Sequence, residues 1–185
     1  MKTLISRMRV VSIVLVMLVP IVSLAATPST APKTDDMAAS GNLGFAAPFD
    51  GDFDSFAPAI TGTFEYYTSP RISWRGLLGF MSFTADLPGD PKVDTTFLNA
   101  NFVYNWERGK IHPFATAGIG VYSKNGSSAL PSDFDETVFG VNGGGGIDWF
   151  LGPRWGLKFE GSMHALTGED PNTFFLGTAG VMFWF

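Results

Sequence analysis

The chain has 185 residues, 45% hydrophobic and 15% aromatic but only 16% charged, against about 25% charged in an average soluble domain. That excludes disorder over most of its length, because disordered chains are poor in aromatics and rich in charge. With no cysteine and two histidines, His112 and His164, it has no disulfide framework, thiol nucleophile or multi-histidine metal centre, and a formal charge of -5 argues against a nucleic-acid partner. No cofactor, metal or catalytic group is expected.

Lys2, Arg7 and Arg9 precede an almost wholly apolar run over residues 10–24, which ends in small residues at Ser23, Ala25 and Ala26. This order reads as a secretory signal peptide over residues 1–25, and the run is short for a retained spanning helix. Its removal leaves nine basic and seventeen acidic side chains, a formal charge of -8. Residues 26–40 are rich in Pro, Ser, Thr and Ala with no apolar period, and are expected to form a flexible lead-in.

From there the pattern has period 2, that of strands. A short first strand is expected at residues 42–47. Pro58, Ile60, Gly62, Phe64 and Tyr66 then oppose Ala59, Thr61, Thr63, Glu65 and Tyr67. Ile72, Trp74, Gly76, Leu78 and Phe80 oppose Ser73, Arg75, Leu77, Gly79 and Met81, and Leu98, Ala100, Phe102, Tyr104 and Trp106 oppose Phe97, Asn99, Asn101, Val103 and Asn105. Residues 111–122 carry small residues on both faces, so their facing is not fixed. Phe139, Val141, Ile147 and Trp149 oppose Val138, Asn142 and Asp148. Trp155, Leu157, Phe159, Met163 and Ala165 oppose Gly156, Lys158, Glu160, Ser162 and His164. A last strand over residues 173–185 makes eight.

Strands of about ten or more residues exceed the usual five or six and reach the nine to eleven that cross a bilayer. A soluble barrel would turn its apolar face inward; charged positions alternating with aromatics fit a polar lumen and a lipid-facing exterior. Links at residues 68–71, 107–110 and 151–154 are short, whereas those at 50–55, 85–94, 123–135 and 167–172 are longer and polar. In outer-membrane barrels the short turns are periplasmic, so both termini are expected there. Trp74, Trp106, Trp149, Trp155 and Trp184 gather at that side as an aromatic girdle. The long connections, counted with Glu136 just past the third, hold eleven acidic residues against Lys92 and Lys124. Asp50, Asp52 and Asp54 alternate but lack the distal glutamate of a calcium loop.

Glu65 with Arg75, and Asp148 with Lys158, share a face across short turns and can pair across strands. With Glu160 and His164 they form the expected lumen charge network, inside a barrel whose eight strands leave room only for side chains. Gly143 to Gly146 lacks the Lys-Ser/Thr of a phosphate loop. Ser162, His164 and Glu160 invite a hydrolase reading, but a nucleophile there points away from lipid and no oxyanion site is visible.

The segments Phe64-Glu-Tyr-Tyr-Thr-Ser-Pro-Arg71, Ile111-His-Pro-Phe-Ala-Thr-Ala-Gly-Ile-Gly-Val-Tyr122 and Phe139-Gly-Val-Asn-Gly-Gly-Gly-Gly-Ile-Asp-Trp-Phe150 resemble the small outer-membrane β-barrel domain family, akin to OmpA, OmpX and OmpW. The end, Val181-Met-Phe-Trp-Phe185, resembles that family's insertion signal, carried by Val181, Phe183 and Phe185. The resemblance implies an all-β, eight-stranded antiparallel up-and-down transmembrane barrel over residues 41–185, inserted by the barrel-assembly machinery into the outer membrane. Its surroundings there are outer-membrane lipid and lipopolysaccharide. The expected role is structural or surface-interacting and non-enzymatic. A narrow channel for small solutes and a lipid-modifying hydrolase are the alternatives. Oligomeric state and ligand are left open.

Overall fold

The computed structural model describes residues 32–49, 56–84, 92–106, 109–126, 135–167 and 173–185. The expected signal peptide and most of the acidic loop residues lie outside them. Eight strands follow one another: β1 (Met37–Pro48), β2 (Ala57–Ser69), β3 (Ile72–Thr84), β4 (Lys92–Asn105), β5 (Ile111–Gly126), β6 (Asp135–Phe150), β7 (Trp155–Leu166) and β8 (Thr173–Trp184). Each pairs antiparallel with the next, and β1 pairs with β8 to close the barrel. Closure removes the unpaired edges that an open sheet would expose.

Side chains alternate between outside and inside on every strand. Leu43, Ile60, Leu98, Ile119 and Phe139 are 60–70% exposed, while Glu65, Arg75, Asp148, Lys158 and His164 are at most 2% exposed. So extensive an apolar exterior suits acyl chains rather than water. The strand over residues 111–126, whose facing composition left open, turns His112, Phe114, Thr116, Tyr122 and Lys124 inward.

The short turns and both described chain ends share one rim of the barrel. Pro70 and Arg71 link β2 to β3, with Ser69 Oγ accepting from the Ile72 backbone N–H at 3.0 Å. Gly109 takes a φ of 63° in the link to β5, a conformation that a Cβ disfavours. Met37 and Phe185 exchange two backbone hydrogen bonds, and Trp184 N–H donates to the Arg154 carbonyl at 3.1 Å.

Strand ends depart from expectation in three places. The lead-in is not free up to residue 40, because β1 starts at Met37 and Ala38 pairs with both Glu65 and Trp184. Just before it, Asp35 accepts a hydrogen bond from Tyr66 Oη at 2.6 Å. At the other rim Lys92–Asp94 and Ser123–Gly126 belong to strands, paired Thr84↔Lys92 and Val93↔Gly126. These ends are polar or small, so they carry no apolar alternation even though their backbones complete the ladder.

Candidate functional site: the lumen

Three tiers fill the interior. At the short-turn rim Ala38, Tyr67, Phe150, Met182 and Trp184 form one apolar cluster. Towards the long connections a larger cluster includes Leu77, Met81, Phe83, Phe97, Tyr122, Leu166 and Phe174. The lumen is therefore polar mainly in its middle tier.

Glu65 is the hub of that tier. Ser73 Oγ donates to its Oε1, while Arg75 Nε and Lys158 Nζ donate to its Oε2 at 2.9 and 3.3 Å. Arg75 Nη1 continues across the lumen to Glu160 Oε2 at 2.7 Å, and Lys158 Nζ lies 3.2 Å from Asp148 Oδ1. Both cations stand 4.8 Å from the centroid of the Phe114 ring, where the aromatic face attracts them. The two cross-strand pairs are thus one network, and register explains it: Glu65 is opposite Arg75 and Asp148 is opposite Lys158. Buried charges persist only when neutralised and hydrogen-bonded together. The Phe114 ring has room because Gly146 faces it; a Cβ there would strike both that ring and the Phe159 carbonyl.

His164 does not join this network. Its Nδ1 lies 2.8 Å from Tyr122 Oη and its Nε2 2.9 Å from Ser162 Oγ. Its ring stacks on Phe174 with centroids 4.6 Å apart, which places it in the upper aromatic tier. Alternation assigned its face correctly, but only the register of β7 sets its height. The Ser162–His164 pair has a phenol, not a carboxylate, beyond the imidazole, and Glu160 is bound to Arg75 instead. Among the described residues no group of three or more His, Asp or Glu side chains could hold a metal ion.

Trp74, Trp106, Trp149 and Trp155 stand outside near the short turns, 41–57% exposed. Trp184 does not: it is 5% exposed and meets Phe150 edge-on at 5.0 Å inside the rim. Its parity explains this, since Val181, Phe183 and Phe185 point outward and the residue between the last two must point inward. Lys124, expected in a loop, is an inward side chain of β5 and only 7% exposed. The signal that would have found it is the alternation running on from Tyr122.

No curated protein matches the sequence at a significant level. Solved structures share the fold. OprG of Pseudomonas aeruginosa is 11% identical, with 84% of this chain and 98% of that one covered and a TM-score of 0.63. The N-terminal barrel domain of OprF from the same organism is 13% identical over 83% and 100%, TM-score 0.61, and Ail of Yersinia pestis is 11% identical over 83% and 100%, TM-score 0.57. The family model described as the outer membrane protein beta-barrel domain matches residues 14–183. With nearly the whole length matched and a closed eight-stranded barrel to carry it, the chain belongs to the outer-membrane β-barrel domain family.

Proposed function

We propose that this barrel is a non-conducting, non-enzymatic outer-membrane protein whose role lies in membrane structure and surface contact. The supporting observation is the Arg75 guanidinium, bonded to Glu65 beside it and to Glu160 across the lumen. That crossbar and the Phe114 ring occupy the section through which ions would pass, and the Trp184 cluster fills the rim below. Ser162 is 3% exposed within the aromatic tier, which leaves a lipid ester no approach to its hydroxyl.

The start of β1 and the end of β8 lie on the short-turn rim, and short turns are periplasmic in this architecture, so the acidic long connections would face outward beside lipopolysaccharide. Ail has been solved with the heparin analogue sucrose octasulfate; an acidic outer surface would repel such a polyanion here. Outward Val181, Phe183 and Phe185 form the apolar row that the assembly machinery would engage.

Planar-bilayer recording tests the central point. The purified barrel is expected to give no discrete steps; steps abolished by changing Arg75 or Lys158 would favour the narrow channel. Lipid A mass spectrometry on cells carrying the native chain or Ser162→Ala tests the enzyme reading, with identical spectra expected. The absence of cysteine makes single-cysteine labelling clean: Asn125→Cys should react with an impermeant maleimide on intact cells and Pro153→Cys should not.

A further inference from the structure

Above the aromatic tier, at the long-connection end, the lumen contains a cavity of about 40 Å³ walled by Met81, Phe83, Val93, Leu166 and Phe174, with Lys124 as its charged side chain. The space is about three times what one water requires. Lys124 lies in register between Thr95 on β4 and Glu136 on β6. Among the described residues its ion-pair partner is Glu136 at 3.9 Å, beyond hydrogen-bond length, and the Glu136 side chain is 33% exposed and so free to turn to solvent. An ammonium held among walls that are apolar except for Thr95 and Thr173, with so loose a counter-ion, is poorly compensated.

We infer that this cup binds a small amphipathic anion: a single-chain carboxylate with a short alkyl tail. Its carboxylate would sit on Lys124 Nζ in place of Glu136, with the tail against Met81, Phe83, Leu166 and Phe174. One lysine matches one negative charge; a dianionic phosphate would keep an uncompensated charge beside Glu136. An uncharged tail would leave the ammonium as poorly paired as before. The floor is closed by the stacked Phe97 and Tyr122 rings, 5.6 Å apart, and by His164 on Phe174. The inference rests on the closed-lumen reading in that a ligand entering the cup is retained and not passed through.

Sodium butyrate, titrated into the isotopically labelled full barrel in phosphatidylcholine nanodiscs, tests this by backbone amide shifts, with butanol as the uncharged control. Saturable shifts are expected at Met81, Phe83, Lys124 and Leu166. Affinity should fall about tenfold or more for butanol and for Lys124→Met, which keeps the apolar stem but removes the charge. Glu136→Gln should bind as tightly or more tightly, and Leu166→Phe, which fills the cup, should bind weakly. Unchanged affinity in Lys124→Met, equal binding of butanol, or shifts confined to outward residues such as Leu43 and Ile60 would overturn the site. Bilayer recording on the same preparation separates the two claims. A conducting barrel that still binds butyrate through Lys124 defeats the closed lumen alone, and a silent one that does not bind defeats the site alone.

Discussion

Arg75 and Glu160 are 85 residues apart in sequence and 2.7 Å apart across the lumen, which makes them a strut between β3 and β7, strands that share no ladder. The side chain of Arg75 is 1% exposed and that of Glu160 9%, so solvent screens the contact little. Arg75 also satisfies Glu65, and its removal would leave the largely buried Glu160 without its cation and Glu65 with Lys158 alone.

Arg75→Met is therefore expected to destabilise the barrel by about 3–5 kcal/mol, the range for breaking a buried pair from one side. Glu160→Gln keeps an acceptor and leaves Arg75 neutralised by Glu65, so a loss of about 1–2 kcal/mol is expected. Reversible urea unfolding in lipid vesicles, followed by tryptophan emission, measures both. Two variants within about 0.5 kcal/mol of the native protein, the scatter of ordinary surface substitutions, would show that the strut carries no stability.

Neighbouring glycines of β6 should behave in opposite ways. Gly146 points at the Phe114 ring and the Phe159 carbonyl, both too close for a Cβ, whereas a Cβ on Gly143 would find only the Thr116 carbonyl at 3.8 Å. Gly146→Ala must move backbone and displace the ring on which Arg75 and Lys158 rest, so a loss of about 1–3 kcal/mol is expected from overpacking. Gly143→Ala should be neutral or stabilising by up to about 1 kcal/mol, because the unfolded chain loses freedom. The same urea titration decides; equal losses at both positions would contradict the packing of the middle tier.

Strand facing was legible wherever large apolar and polar residues alternate, as around Glu65, Arg75 and Lys158, because one face of each strand is forced into lipid. It was not legible in β5, where Ala115 and Ala117 outside and Gly118 and Gly120 inside differ too little in size and polarity. Strand ends were missed at Met37 and Lys92 because they are held by backbone pairing rather than by side-chain hydrophobicity. The site divided similarly. Spacing across a short turn exposed Glu65–Arg75 and Asp148–Lys158, but the contacts Arg75–Glu160 and Lys158–Glu65 depend on which heights meet across the lumen. That follows from the closed barrel's register, which no local pattern encodes.

The tryptophans offer a direct test of inside and outside. Trp74, Trp106, Trp149 and Trp155 present exposed indoles to the membrane, while Trp184 is enclosed with Phe150 and Tyr67. In vesicles of brominated lipid, single-tryptophan variants retaining any of the first four should be strongly quenched and one retaining Trp184 weakly. Trp184→Ala should cost about 3–5 kcal/mol by leaving a void, more than the same change at Trp155. Strong lipid quenching of Trp184 would place it in the exterior girdle after all.

Phe185 separates assembly from stability. Its backbone N–H and carbonyl both pair with Met37, bonds that any residue makes, while its ring is 61% exposed at the rim. Phe185→Ala should therefore keep the barrel closed and shift its unfolding free energy by no more than about 1 kcal/mol, as expected for a surface position. If the outward apolar row formed by Val181, Phe183 and Phe185 is what the assembly machinery engages, the variant should nonetheless accumulate unassembled in cells. Pulse-chase with a heat-modifiability gel gives the assembly rate, and urea unfolding of the refolded variant gives its stability. A normal rate in cells would remove the terminal phenylalanine from the insertion step. A slow rate with an equally large loss of stability would instead make it a structural residue of the closing strand pair.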